Sequence, residues 1–440
     1  MGRRIVTAID VGSSKITTVI ASIEDAEQRP TVIGVYTHPS KGVKRGTIVN
    51  IEEATDSISE SVTAAEKMAG ITVSDVYVAI NGEQITSINN KGVVAVSAGN
   101  EISMEDTMRA IENAKTLSLP QNINPIHIIP REFVVDSQGG IKYPIGMTGL
   151  RLEVETHIIT APMSSWQNLV KCIQQLGLTV NDIVFTGWAS SLAVLTDTEK
   201  ELGVAMLDIG SGTTSVSIFM EGSITYSGCI PLGGQSLTSD IAIGLQVSLE
   251  DAEKIKMNLE KILEGKIGSS EENKTPALLR KKDKDSEDSK LKELDDDKVD
   301  LSLIGISSKK EISKTLLSQI IDARLDEIYD MIRDNVSRSG YDINMPAGIV
   351  ITGGTSQLQN VLTKAEEKFG VPVRVGYPTG LSGMTEEISD PSYSAVQGLI
   401  KHAMDDDNDG ESIGSSDGGF MSNVGGIFGK VGDWIKSLLP

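Results

Sequence analysis

The sequence predicts an α/β fold built from two similar halves, and three observations predict it. A strand–turn–strand unit occurs twice, as IVTAIDVGSSKITTVIA near the start and VAMLDIGSGTTSVSIFM in the middle. A third apolar strand ends in paired glycines, in GIVITGGTSQLQNV. Segments of helical periodicity separate these strands, and such alternation is the mark of an α/β architecture.

Each unit reads as a β-hairpin with a polar tip. In the first, residues 5–11 form an apolar strand, a Gly/Ser turn follows, and residues 16–21 alternate. In the second, residues 204–209 and 215–219 take the same parts, so Asp10 and Asp208 occupy equivalent strand ends. Helices are expected over 51–68, where Ala54, Ile58, Val62 and Ala65 make one stripe, and over 166–176, 189–195, 249–263 and 316–332. Another should begin near Gln357, after the paired glycines. Residues 84–162 interrupt the plan. EISMEDTMRAIENAK reads as a helix and PIHIIPREFVVD and RLEVETHIITA as strands, a small α+β insertion. Residues 264–300 carry twelve acidic and nine basic side chains and few apolar ones, which predicts a solvated loop. An acidic, Gly/Ser-rich tail starts near Asp405 and gives way to GGIFGKVGDWIKSLLP.

Composition narrows the function. With 440 residues the chain can build several domains and a sizeable core. A net charge of −21 argues against nucleic acid as the main partner, because phosphate backbones need clustered Lys and Arg. Cys172 and Cys229 lack metal-ligand spacing and read as buried thiols in a reducing compartment. His38, His127, His157 and His402 are scattered and read as structural. The N-terminal MGRRIVTAIDVG lacks the apolar run of a signal peptide. No stretch of about 20 apolar residues could span a bilayer. Neither G-x-x-x-x-G-K-[ST] nor H-E-x-x-H occurs.

The hairpin tips carry the chemistry. Glycine lets the backbone approach a ligand closely, and successive N–H groups at such a turn surround phosphate oxygens. A strand-end carboxylate suits hydrated Mg2+, which favours one or two carboxylates plus phosphates. Lys15 adds a point charge. Two tips facing each other would grip a polyphosphate from both sides.

These three motifs, in this order, resemble the two phosphate loops and the adenosine motif of the actin/Hsp70/hexokinase superfamily. Within it the chain resembles the FtsA-type bacterial cell division proteins over essentially its whole length. CIPLGGQSLTSDIA and SLEDAEKIKM follow the second hairpin, the insertion stands where that family carries its 1C subdomain, DPSYSAVQGLI follows the glycine pair, and an amphipathic segment ends the chain. The resemblance implies an actin-like two-lobed fold around a nucleotide cleft. It implies subdomain 1A over 1–83 and 163–202, 1C over 84–162, 2A over 203–232, 2B over 233–339 including the charged loop, 2A again with the return to 1A over 340–403, a disordered acidic linker over 404–422, and a membrane-targeting helix over 423–440. It implies ATP and Mg2+ as cofactors. Asp10, Gly12, Ser13, Ser14 and Lys15 would face one side of the triphosphate, and Asp208, Gly210, Gly212, Thr213 and Thr214 the other. Asp10 and Asp208 would hold Mg2+ through water. Glu253 and Lys256 would lie along the ribose and adenine, although the pair also fits a plain surface ion pair, and Gly353, Gly354 and Thr355 would back the nucleoside.

The family often has Glu in an E-P-x-A-S segment before the second phosphate loop, where this chain reads Gly187-Trp188-Ala189-Ser190. Glycine can neither act as a base nor orient a water, so at most slow ATP hydrolysis is expected. The partners implied are the tubulin-like division protein FtsZ, through Lys314 and Arg324 on 2B, further copies of the chain in an actin-like filament, anionic lipids, and later division proteins through 1C. The location implied is the cytoplasmic side of the membrane at the division septum. The readings that compete are a pilus-assembly protein of the PilM type and a small-molecule phosphotransferase of the same superfamily.

The terminal segment supports the membrane reading by its own pattern. On a helix over 424–439, Val424, Ile427, Phe428, Val431, Trp434, Ile435, Leu438 and Leu439 form one stripe, with Lys430 and Lys436 on the other side. Sixteen helical residues rise only about 24 Å, too short to span a bilayer. They suit an interfacial helix whose stripe enters the acyl boundary while the lysines meet anionic lipid.

Overall fold

The duplicated hairpins become the centres of two sheets with the same connectivity. The computed structural model describes residues 3–24, 29–97, 99–116, 119–264, 297–306, 309 and 311–408. In the first lobe, β1 (Arg3–Val11), β2 (Lys15–Glu24) and β3 (Thr31–Pro39) form an antiparallel meander. A short hairpin, β4 (Val43–Lys44) and β5 (Thr47–Ile48), leads into α1 (Ile51–Ala69), and β6 (Asp75–Ile80) returns parallel to β1. The insertion follows: β7 (Thr86–Ala95), α2 (Met104–Lys115), β8 (Ile123–Val135), β9 (Gln138–Ile141) and β10 (Arg151–Pro162). Then α3 (Met163–Gln175) and β11 (Thr179–Phe185) complete a sheet that runs β11-β6-β1-β2-β3.

The helices α4 (Thr186–Val194) and α5 (Asp197–Leu202) cross to the second lobe. Its strands are β12 (Val204–Ile209), β13 (Thr214–Met220) and β14 (Ser223–Ile230). Its helices α6 (Gly234–Leu245), α7 (Leu249–Met257) and α8 (Leu259–Leu263) precede a two-stranded sheet of β15 (Lys298–Asp300) and β16 (Glu311–Ser313). The long α9 (Lys314–Arg338) leads to β17 (Ile349–Thr352), α10 (Gln359–Phe369) and β18 (Val373–Val375). The chain then adds β19 (Ser382–Gly383) beside β3 and ends, among the described residues, in α11 (Ser394–Asn408). The second sheet runs β18-β17-β12-β13-β14. Parallel and antiparallel pairings fall at the same places as in the first lobe.

Local signals place the helices. Asn50 caps α1 by accepting from the Glu53 N–H, Gly70 closes it in the left-handed region, and Ala54, Ile58, Val62 and Ala65 are buried as their spacing predicts. Ser313 caps α9, whose Leu317, Ile321, Leu325, Ile328, Ile332 and Val336 enter the core of the second lobe. The expected single helix over 249–263 is broken. Asn258 turns its side chain back onto the Lys254 carbonyl, a local bond that competes with the helical ladder. The helix expected near Gln357 starts as a 3-10 turn over Gly354–Gln357 and becomes α-helical only from Gln359.

The insertion has its own core, in which Ile102, Ala110, Ile111, Phe133, Leu152 and Val154 are buried between α2 and the sheet β7-β10-β8-β9. The charged stretch ends earlier than expected. Asp297 already belongs to the fold, accepting from the N–H and hydroxyl of Thr315, and 298–300 pair with β16. Residues 404–408, expected in the linker, continue α11, whose Leu399, Ile400 and Ala403 are buried against the first lobe. Most of the charged loop, the rest of the linker and the terminal amphipathic segment lie outside the described residues. Cys172 and Cys229 are buried free thiols. No helix among the described residues is long and apolar enough to cross a membrane.

Candidate functional site

The two hairpin tips match residue for residue in their register. Asp10 pairs with Thr17 and Val11 with Ile16; Asp208 pairs with Ser215 and Ile209 with Thr214. The Gly12 N–H donates to the Lys15 carbonyl at 3.1 Å, and the Gly210 N–H to the Thr213 carbonyl at 2.9 Å. A Cβ on Gly12 would lie 2.7 Å from the Lys15 oxygen, which is why glycine stands there. The N–H groups of Ser13, Ser14, Ser211 and Gly212 make no hydrogen bond among the described residues. The tips approach closely, since a Cβ on Gly212 would stand 2.6 Å from Ser13 Oγ and 3.1 Å from Arg45 Cα. Between the lobes lies a cavity of about 1030 Å³ lined by both tips. Unpaired amides on two tight turns suit the oxygens of a polyphosphate.

The carboxylates sit at the floor. Burial pushes Asp10 up to about 6, opposed by Lys15. It pushes Asp208 up to about 7, opposed by the Ser190 hydroxyl and reinforced by Asp10. Ser190 Oγ donates to Asp208 Oδ2 at 2.5 Å. Lys15 is drawn below the usual lysine range by burial, against the pull of Asp10, Asp390 and Asp208. Its ammonium donates to Ser392 Oγ at 2.7 Å and stands 4.0 Å above the Tyr393 ring. Two carboxylates desolvated by burial, with Asp10 also raising Asp208, favour a cation beside them. No cluster of three or more His, Cys, Asp or Glu suited to a metal occurs among the described residues. Asp10 and Asp208, both at the cavity, would suit an ion such as Mg2+, which needs only one or two carboxylates.

The other end of the cleft is built by α6, α7 and the glycine pair. Lys256 Nζ donates to Glu253 Oε2 at 2.7 Å, to Thr238 Oγ1 at 2.8 Å and to the Gly234 carbonyl at 3.2 Å. The pair is thus knotted into the cleft wall rather than standing on an open helix face. Gly353 has φ +84°, and a Cβ there would stand 2.4 Å from Asp208 Oδ1. Thr355 donates to the Gly210 carbonyl at 2.9 Å, which ties the glycine pair to the second hairpin.

Of the expected nucleotide residues, Asp10, Gly12, Ser13, Ser14, Lys15, Asp208, Gly210, Gly212, Thr213, Glu253, Lys256, Gly353, Gly354 and Thr355 line the cavity. Thr214 does not. In the shared register it takes the place of Ile16, so strand alternation turns it inward, where it is fully buried and its hydroxyl donates to the Leu232 carbonyl. Sequence reasoning missed Asn81, Thr186, Thr238 and Ser392 as lining residues. Asn81 and Thr186 directly follow β6 and β11, and the C-terminal end of a parallel strand was the signal that could have found them. Gly187 is buried in α4, with a Cβ position 2.6 Å from the Phe185 ring and 2.9 Å from Ser217 Oγ, so the helix has no room there for a carboxylate side chain.

On α9, Arg324 is bound bidentately by Asp240 on α6, at 2.5 Å through Nε and 2.8 Å through Nη2, and also pairs with Glu327. Lys314 opens α9, its N–H bonded to the Asp297 carbonyl. The membrane-facing residues expected at Ile427, Phe428, Lys430, Val431, Trp434, Ile435, Lys436, Leu438 and Leu439 lie outside the described residues.

Two sheets of one connectivity, with matched glycine hairpins meeting across a cleft and an α+β domain inserted in the first lobe, define an actin-like two-lobed protein. The fold is shared with a solved structure described as "PilM-PilN type IV pilus biogenesis complex", with a TM-score of 0.58 over 90% of this chain and 98% of that one, at 14% identity. The sequence model of "Cell division protein FtsA" matches residues 205–398, and that of "SHS2 domain inserted in FTSA" matches 82–160. The cell division protein FtsA of Pseudomonas aeruginosa is 34% identical over 420 residues, 96% of this chain and 94% of that protein. Its counterpart in Borreliella burgdorferi is 37% identical over 401 residues, 91% of each. The chain belongs to the FtsA family of cell division proteins.

Proposed function

We propose that this actin-like cell division protein binds Mg-ATP in the cleft, assembles with copies of itself, and tethers FtsZ to the cytoplasmic face of the membrane at the division septum. The observation that carries the nucleotide reading is the pair of hairpin tips, in identical register, presenting unpaired amides to one cavity. The amides of Ser13, Ser14, Ser211 and Gly212 and the Lys15 ammonium would hold phosphate oxygens. Asp10 and Asp208 would hold Mg2+ through water, and the ion neutralises phosphate charge. Glu253 and Lys256 would contact the ribose and adenine, with Gly353, Gly354 and Thr355 behind the nucleoside. Turnover is slow, well below about 10 s⁻¹, since Gly187 brings no carboxylate to the phosphate end.

The tether has two ends. FtsZ would bind 2B near Lys314 and Arg324, the latter with its guanidinium orientation fixed by Asp240. The amphipathic stripe from Val424 to Leu439 would lie in the interface, with the acidic linker held off anionic lipid. The 1C domain would receive later division proteins. Sedimentation with anionic liposomes and purified FtsZ, with and without ATP, tests this reading. The full chain should carry FtsZ to the pellet. Deletion of 426–440, or Trp434→Glu, should leave both proteins in the supernatant with ATP binding intact. Liposome binding by the deleted form would refute the anchor.

A further inference from the structure

Residues 81–89 take the chain out of the first lobe and into the inserted domain, and both ends of this segment are bonded to the β13–β14 hairpin of the second lobe. At the cleft end, Asn81 Nδ2 donates to Thr213 Oγ1 at 3.1 Å and to Ser215 Oγ at 3.0 Å. At the far end, Ser87 Oγ donates to the Ser227 carbonyl at 2.8 Å and accepts from the Ser227 N–H at 2.9 Å. Asn89 Nδ2 donates to the Thr225 carbonyl at 2.9 Å. His157, on the neighbouring β10, joins the seam through Asn89 Oδ1 at 2.7 Å and Ser227 Oγ at 2.9 Å. The strands β7 and β14 are edges of their sheets and share no ladder; the Ser87 and Asn89 side chains of β7 bond instead to the backbone of β14. The first hairpin reaches the same segment: the Gly46 N–H donates to Ser13 Oγ at 2.9 Å, and a Cβ on Gly46 would stand 3.0 Å from the Gly82 nitrogen.

We infer that residues 81–89 form a strap through which occupancy of the cleft sets the position of the inserted domain, with Asn81 as its positioning residue. The inference rests on the nucleotide reading above. A ligand that draws the two tips together moves the β13–β14 hairpin relative to the first lobe. The strap is rooted in the first lobe at β6 but bonded to that hairpin at Asn81, Ser87 and Asn89. The inserted domain must therefore follow the hairpin, or the side-chain seam must open. A seam without ladder bonds is the place where such a motion is accommodated at least cost, because only a few hydrogen bonds change.

Hydrogen exchange on the full chain tests this, read on peptides covering 86–95 and 223–230, with and without saturating Mg-ATP, and with ATP affinity measured separately by calorimetry. In the natural protein, Mg-ATP should slow exchange in both peptides by about tenfold, within the usual range of coupling between sites. Asn81→Ala, at its own saturating ATP, should lose this nucleotide-dependent slowing. A merely structural Asn81 would instead speed exchange equally in both states. Ser87→Ala, remote from the cleft, should show the same loss and carries the test if Asn81→Ala does not fold. Full ATP-dependent slowing in Ser87→Ala, or in a folded Asn81→Ala, overturns the strap. So does a natural protein that binds ATP without any change over 86–95. A natural protein that does not bind ATP overturns the cleft reading itself, and the strap with it.

Discussion

Gly212→Asp separates charge from bulk at the cleft. Any side chain at this position meets the opposite tip, since its Cβ would stand 2.6 Å from Ser13 Oγ, 2.9 Å from Ser13 Cβ and 3.1 Å from Arg45 Cα. Pushing the tips apart costs about 1 kcal/mol or more as overpacking, so Gly212→Ala should weaken ATP by about tenfold. The aspartate adds a carboxylate to a floor that already holds Asp10 and Asp208. At ~5 Å from a phosphate oxygen and an effective dielectric of ~20, each pair of charges adds about 3 kcal/mol, or roughly a further hundredfold in affinity. Titration of both variants with Mg-ATP by calorimetry, alongside their melting temperatures, decides the matter. Equal losses for alanine and aspartate would refute the placement of phosphate at this tip. Natural affinity in Gly212→Asp would refute the site.

Three further outcomes are expected. His157 is held down to about 3, chiefly by burial and then by Arg131 and His127, so the unfolded chain, with its histidine near 6.5, binds the proton first. Stability is therefore full above pH 6.5 and falls as pH drops towards 3, by about 1.4 kcal/mol per pH unit from this group. Urea titrations at pH 5 and pH 7 should show that difference shrinking in His157→Gln. Gly187→Glu should not raise ATP turnover but should lower the melting temperature by several degrees, because its Cβ meets the Phe185 ring; a stable variant with faster turnover contradicts the packing. Arg324→Glu should cost about 1 to 2 kcal/mol by setting two carboxylates against each other where Asp240 now accepts two bonds. An unchanged melting temperature would show that this pairing carries no stability, and unchanged affinity for the FtsZ C-terminal peptide would reject the partner surface.

The sequence by itself determined the duplicated architecture and most of the cleft. Period-two strands ending in Asp10 and Asp208, with glycines next to them, are local patterns, and the backbone cannot make such tips without small residues. The helix stripe of α1 and its Asn50 and Gly70 caps were equally local. Tertiary structure decided what depends on which surfaces meet. Whether Thr214 faces the ligand or the core depends on one residue of register, and only the pairing with Ile209 fixes it. Whether Lys256 and Glu253 are a surface pair or part of the cleft wall depends on Thr238 and Gly234 arriving from another helix. Asp240 reaches Arg324 across 84 positions of chain, and Lys15 reaches Ser392 across 377. Such long-range partners leave no periodicity in the sequence, because hydrogen-bond geometry is set by the packing of whole elements and not by spacing along the chain.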